Sequence, residues 1–474
     1  MSFYQKSSTL SRRFRLVQAS FLQEDGLAFA QVLPEEQIDK AFTDAHADFA
    51  REEGAVYTPA VTLWAFLSQV LFKEEQRSCM AAVSRVLALL VALGRKPCLK
   101  NTGAYCRARA RLPEPVIRKL AMDVAKGCEQ AVPSEWLWHG RHVHLVDGTT
   151  VSMPDTNANQ DEYPQNVAQK PGLGFPIVRL AVLLSLATAM VHDMALGPYA
   201  GKETGETALF RELLGGVDSQ SIIVADRYYC SYFLIAMALL GRRDFVVRLH
   251  QCRKTDFTTV THLGKGDYLV TWTRPQRPKW MDHAIYEQIP ETMTVRLVEV
   301  QVHEPGFRVE SLTVVTTLTD PLQYPSEDIA DLYRRRWLVE LDIRAIKTTM
   351  GMDVLRCQSP AMVRTEMWVC LLAYNLIRKA MLEAACEAGV SPRELSFATA
   401  MQTIAASWMT LICADQALLS SLIAAQLASL AQQRVGDRPN RVEPRAVKRR
   451  SKPIALLTKP RKEAREALLR GAAA

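Results

Sequence analysis

The order of apolar runs between residues 141 and 248 constrains this chain more than any other feature. "RHVHLVDGTTVSM" alternates from His142 to Asp147, reaches Gly148 and resumes, so it reads as strand, turn, strand. "FPIVRLAVLLSL" adds a third apolar run with strand character. Helical and extended periods then alternate: the amphipathic "TGETALFRELL", the short buried "SIIVAD", the apolar "SYFLIAMALLG" closed by Gly241, and "DFVVRL". Strands in this order bury their apolar faces when they join one sheet with helices laid on it. The fold class is therefore mixed α/β.

Helical regions flank this core. Residues 1–135 read as helical, most clearly in "TPAVTLWAFLSQVLF" and "CMAAVSRVLALLVALGR". Between about 251 and 310 the pattern turns β-rich ("TDFTTVTHL", "DYLVTWT", "MTVRLVEVQVHE"), which suggests an all-β insertion. "ESLTVVTTL" returns to strand, and Ser326, followed by acidic residues, suggests a capping box opening a helix. The expected organisation is a helical region 1–135, a core 136–355 interrupted by the insertion, a helical region 356–433 and a tail 434–474.

No stretch reaches the roughly 18–20 uninterrupted apolar residues that a membrane helix needs. "LAVLLSLATAMV" is too short and reads as buried strand. The N-terminus lacks the apolar run of a signal peptide, so no membrane partner and a cytoplasmic location are expected. The ten cysteines show neither CxxC pairs nor zinc-ligand spacing and read as reduced thiols. The formal net charge is +8, but residues 434–474 hold thirteen Lys/Arg against four Asp/Glu, leaving the other 433 residues at −1. A basic tail of this composition suits a polyphosphate partner, or serves as a solubilising extension. Arg107, Arg109 and Arg111, close to Tyr105, suit either DNA phosphates or a solvated helix start.

The chemistry gathers at three places. "HVHLVD" and "IIVAD" end in Asp147 and Asp226, and the carboxyl ends of strands are where functional groups collect in open α/β sheets. The third place is the helical stretch "DLYRRRWLVELDIRAIKTTM". At about 100° per residue, Tyr333, Arg336, Glu340, Arg344 and Lys347 fall within an arc of roughly 80°. Leu332, Val339, Ile343, Ile346 and Met350 form an apolar stripe about a quarter turn away. The polar row thus borders the buried face and can look into a groove beside the strand ends, although an i, i+4 ion-pair ladder on a solvated face shares this pattern. Asp155, beyond the strand pair, is set aside as a carboxylate ligand, and His142 and His144 read as packed histidines.

The spacing Tyr333-x2-Arg336-x3-Glu340-x6-Lys347 resembles the Tyr-Arg-Glu-Lys signature of bacterial insertion-sequence transposases of the DDE class. "VDGTTV", "VADRYY", the β-rich insertion before Glu340 and "LLAYNLIRKA" strengthen the likeness, which spans about residues 141–347. The resemblance implies a ribonuclease H-like core in which Asp147, Asp226 and Glu340 hold two Mg2+ ions, with Mn2+ as a substitute. It implies that Tyr333, Arg336 and Lys347 bind phosphates near the cleaved end, with Arg344 and Arg227 as further DNA contacts. It also implies excision through a DNA hairpin, with a flipped base received by Trp272 or Trp280. The implied partners are the terminal inverted repeats of the element, recognised through the N-terminal helices, and target DNA. Synapsis implies a homodimer, for which the C-terminal helices offer a contact, acting on the bacterial nucleoid. A catalytically silent DNA-binding relative and a metal-dependent nuclease of the same fold are the alternatives.

Overall fold

The computed structural model describes residues 35–436 and 456–472, apart from 48, 51, 53–54, 93–100, 252–259, 302–310 and 414–415. The expected helical stretch up to residue 34, the start of "TDFTTVTHL" and the tail from 437 to 455 therefore lie outside the described residues. Among those described, nine strands join one sheet: β1 (Val143–Ser152), β2 (Ile177–Ser185), β3 (Val191–Pro198), β4 (Ile222–Ala225), β5 (Asp244–Arg248), β6 (Thr261–Gly264), β7 (Asp267–Thr273), β8 (Thr292–Gln301) and β9 (Ser311–Thr316). Their order is β3-β2-β1-β4-β5-β9-β8-β7-β6. β1 pairs parallel with β4, and β4 with β5, whereas β2 runs antiparallel to both β1 and β3. The first five strands, ordered 3-2-1-4-5 with β2 reversed, make the expected ribonuclease H-like core.

The β-rich insertion does not form a sheet of its own. β9 pairs antiparallel with β5, and β8, β7 and β6 extend the same sheet outward, with a short helix at His283–Gln288. A buried ion pair anchors it: Arg296 donates to both carboxylate oxygens of Asp267 at 2.7 and 2.6 Å, and to the Tyr324 carbonyl at 2.6 Å.

Two local expectations are corrected. Gly148 is not a turn, since β1 runs through it and pairs with β2 from His144 to Ser152. "LAVLLSLATAMV" is not one strand but the corner of the β2–β3 hairpin, turned at Ala189 with φ 61°. The capping box also fails to form: Pro325 is the N-cap and Ser326 the first helical residue, with no side-chain cap.

Alternation along the strands separates two apolar layers. Leu145, Val182, Val224, Val246 and Val314 face a helical layer drawn from both ends of the chain. There α1 (Pro59–Leu71) begins at Thr58, whose Oγ1 accepts from the Val61 amide at 3.3 Å, with Pro59 in its first turn. Every residue of α1 is buried, and α2 (Glu114–Gln130) contributes to the same apolar cluster. Val146, Ile223, Ala225, Phe245 and Val315 face the opposite way, toward α3 (Glu206–Leu214) and α4 (Tyr232–Leu240).

The stretch expected as one helix is divided into α5 (Ser326–Arg335), α6 (Leu338–Arg344) and a π-helical turn, Ala345–Thr349. It leads to α7 (Pro360–Ala388), 29 residues long, which ends where Gly389 turns left-handed at φ 64°. The motif "AYNLIRK" makes α7 a buried polar strut. Tyr374 Oη donates to the Ala189 carbonyl (2.8 Å), while Asn375 accepts from the Val191 amide (2.9 Å) and donates to the carbonyls of Ala121 and Val191 (2.9 and 2.8 Å). Arg378 donates to Asp342 on α6 at 2.8 Å, and Arg393 reaches the other oxygen of Asp342 at 3.0 Å. Asp342, Tyr374, Asn375 and Arg378 are buried and Arg393 is largely covered, so water cannot readily replace a lost partner.

Replacing Asp342 by Ala strands the buried Arg378 charge, so unfolding free energy measured by denaturant should fall by about 3–5 kcal/mol. A change below 1 kcal/mol would show that the pair does not brace α6.

Candidate active site

Two of the expected carboxylates meet because of strand register. The parallel ladder pairs Val146 with Ala225, so the next residues, Asp147 and Asp226, stand side by side on strands about 4.8 Å apart. Each is oriented by its own backbone: Asp147 Oδ1 accepts from the Gly148 amide at 2.8 Å and Asp226 Oδ1 from the Tyr228 amide at 2.7 Å.

Glu340 arrives on α6. The chain tightens to i+3 bonding there, with the Arg336, Trp337, Val339 and Glu340 amides donating to Tyr333, Arg334, Arg336 and Trp337, and then widens into the π turn. Tyr333 is thereby buried rather than set on an open edge. Arg336 bridges the carboxylates, 2.9 Å from Glu340 Oε1 and 3.8 Å from Asp147 Oδ2. Lys347 is carried to β1, where its Nζ donates to Thr149 Oγ1 (3.0 Å) and the Thr150 carbonyl (2.7 Å).

Burial, reinforced by the charges of Asp226 and Glu206, pushes Asp147 up to about 6, although the Gly148 amide and Arg336 oppose the shift. Burial also pushes the Tyr333 hydroxyl up to about 12, keeping it a neutral donor at pH 7.

Other expected residues stand apart from this cluster. Arg227 donates to Gln251 Oε1 at 3.2 Å, and Arg344 is exposed. Trp272 is buried at 6% exposure, and the face of Trp280 is covered by the Arg211 guanidinium 3.8 Å from the ring centre. Period-2 alternation turns Trp272 inward, while Trp280 is partly exposed with one face under Arg211, a partner that local pattern did not reveal. In the N-terminal helices Tyr105 is buried and Arg109 lies over the Phe66 ring at 4.9 Å, while Arg107 and Arg111 are exposed.

Sequence reasoning missed Glu206, the first residue of α3, whose side chain lies across Gly148. Its only signal was the glycine following Asp147.

The family likeness implies Mg2+, and the donor set fits a hard cation, because Asp147, Asp226 and Glu340 offer oxygen alone. Arg336 shows where positive charge is accepted, since its guanidinium already spans Asp147 and Glu340. Among the described residues no three His, Cys, Asp or Glu side chains stand at metal-holding spacing, and Arg336 lies between two of the carboxylates.

A sequence model of the transposase DDE domain matches residues 138–376, half of the chain. The chain belongs to the DDE transposases. It is 29% identical over 409 residues to transposase InsG for insertion sequence element IS4 of Escherichia coli (strain K12), a match covering 84% of this transposase and 87% of InsG. Putative transposase InsZ of the same organism is 27% identical over 135 residues, 28% of this chain and 43% of InsZ. Among solved structures, the piggyBac transposase synaptic complex with hairpin DNA gives a TM-score of 0.43 at 12% identity, covering 87% of this transposase and 84% of that chain. No described helix is long and apolar enough to cross a membrane.

The histidines near β1 form a separate buried cluster. His142 Nδ1 lies 2.8 Å from Glu129, His192 Nε2 lies 3.5 Å from the same carboxylate, and Thr188 donates to it at 3.3 Å. The His144 ring stands edge-on to His192, with centroids 4.8 Å apart. Burial, with the neighbouring His192, pushes His144 down to about 3 against the pull of Glu129. The folded state therefore holds His144 neutral, while the unfolded chain protonates it near 6.5. Its stabilising share is complete above that pH and is lost as pH falls from 6.5 toward 3, by up to about 1.4 kcal/mol per unit. His144→Phe should flatten the decline in unfolding free energy between pH 6.5 and 5; an unchanged slope would exclude His144 as its source.

Proposed function

We propose that this transposase cleaves the ends of an insertion sequence and joins them to target DNA at a two-cation site made by Asp147, Asp226 and Glu340. The reading is carried by the β1–β4 register, which sets Asp147 beside Asp226 at the carboxyl ends of parallel strands, with Arg336 linking Asp147 to Glu340. Asp147 is the common member, adjacent to Asp226 on one side and to Arg336 on the other.

When bound, two divalent ions activate the attacking water or 3′-hydroxyl and neutralise charge on the leaving oxygen in an in-line displacement at phosphorus. The protein's own groups fix the geometry. Arg336 is a planar fork, occupied here by carboxylates, that would grip a phosphate bidentately where those carboxylates hold a cation. Lys347, braced on β1, adds a point charge one π turn beyond α6, and Tyr333 supplies a neutral hydroxyl from beneath. The buried Asp342–Arg378–Arg393 network holds α6 against the sheet, so that Glu340 meets the strand ends at a fixed height.

The N-terminal helices, whose exposed Arg107 and Arg111 face outward, suit recognition of the terminal inverted repeats. The tail ends in an exposed basic helix, Arg461–Ala472, fitted to phosphate contact. Work on two ends at once calls for a homodimer on nucleoid DNA in the cytoplasm. With Trp272 buried and one face of Trp280 under Arg211, hairpin excision would call on Trp280, on release of Trp272 or on another aromatic, and the cleaved ends report whether a hairpin forms.

Incubating the protein with Mg2+ and DNA carrying the inverted repeats that flank its gene tests this reading. Wild type should cut and join, and Asp147→Asn and Glu340→Gln should bind the ends in a mobility-shift assay while losing about a hundredfold or more in cleavage. Binding without cutting by wild type would leave a silent DNA-binding protein, and cutting without joined products would leave a nuclease.

A further inference from the structure

A fourth carboxylate reaches the strand end from the opposite face of the sheet. Asp147 and Gly148 are consecutive strand residues, so any side chains they carry point to opposite faces. Glu206 comes from α3, on the face toward which a side chain at 148 would project. A Cβ placed on Gly148 would stand 2.2 Å from Glu206 Cδ and 2.6 Å from Oε1. No side chain fits there, and the missing one leaves a notch through which the carboxylate lies against the backbone beside Asp147.

An ordinary acid in a first helical turn is stabilised by the helix terminus and needs no such notch. The charge of Arg179 favours the Glu206 carboxylate, but among the described residues no direct contact pins the side chain to it. Arg179 directs Nη1 to the Thr204 carbonyl at 3.0 Å, its guanidinium covers the Tyr199 ring at 4.7 Å, and among the described residues no salt bridge joins it to Glu206. Glu206 is half-buried and, among the described residues, accepts no hydrogen bond, while its charge acts on both Asp147 and Asp226. Asp147, Asp226 and Glu206 repel one another at one strand end; although among the described residues no three carboxylates stand at metal-holding spacing, a divalent cation drawn between them would relieve that repulsion.

We infer that Glu206 contributes its carboxylate to the divalent-cation site beside Asp147 and Asp226, and that Gly148 is glycine because that carboxylate passes over it. The inference rests on the proposed reading of Asp147 as a cation ligand, and the experiment separates the two.

Mn2+ binding to the full-length protein, followed without DNA by the paramagnetic resonance of the free ion, is measured for wild type, Asp147→Asn, Glu206→Gln and Gly148→Ala. Glu206→Gln should weaken binding about tenfold or more, and Gly148→Ala should do the same by displacing the carboxylate. Metal-free Glu206→Gln should melt no lower than wild type, because repulsion is relieved. If Asp147→Asn weakens binding but Glu206→Gln and Gly148→Ala stay within twofold of wild type, the role of Glu206 is refuted and the reading of Asp147 stands. If Asp147→Asn itself binds as tightly as wild type, the cation-site reading fails and this inference with it.

Discussion

Like charges gathered in a half-buried place repel, and the catalytic core is arranged around that constraint. Asp147 and Asp226 are neighbours because two parallel strands are in register, and neither can retreat without breaking a ladder that also holds Val146 against Ala225. Backbone amides at Gly148 and Tyr228 absorb part of the negative charge. Arg336 absorbs more, reaching one of these carboxylates together with Glu340. The same residue thus keeps the cluster tolerable as it stands.

That arrangement has value only if α6 is rigid. Its register on the sheet comes from groups far from the chemistry: Asp342 held between Arg378 and Arg393, with Tyr374 and Asn375 of α7 fastened to the β2–β3 hairpin. Buried polar networks of this kind add little net stability against an apolar core, but they specify one geometry, because each donor is costly to leave unmatched. The i+3 tightening at Arg336 and the π turn at Ala345 then rotate the polar row, so that Arg336 meets the carboxylates and Lys347 meets β1.

Helices from both ends of the chain share one apolar cluster on the face that carries Glu340. The N-terminal helices are thereby linked mechanically, through α1 and α7, to the element bearing Glu340. The insertion lies at the other end of the sheet, continuous with β5 through β9, and is fixed by the buried Arg296–Asp267 pair rather than left as a loose appendage.

The sequence by itself determined the periods: which runs are strands, which are helices, and that Asp147 and Asp226 end strands while Tyr333, Arg336, Glu340 and Lys347 share a helical row. These follow from side-chain alternation and helical geometry, which act over a few residues. It misread Gly148 as a turn, since local pattern cannot distinguish a glycine required by backbone conformation from one required by a neighbour arriving from residue 206. For the same reason the tryptophans of the insertion looked equally available, although Trp272 is buried and Arg211 covers one face of Trp280. That Glu206 enters beside Asp147, that Asp342 is a buried brace and that Arg336 spans two carboxylates emerge only from the assembled fold. Such contacts join residues 36 to about 200 positions apart, or depend on one break in a helix, and their free energies are settled by burial and charge in the assembled fold rather than by propensities written along the chain.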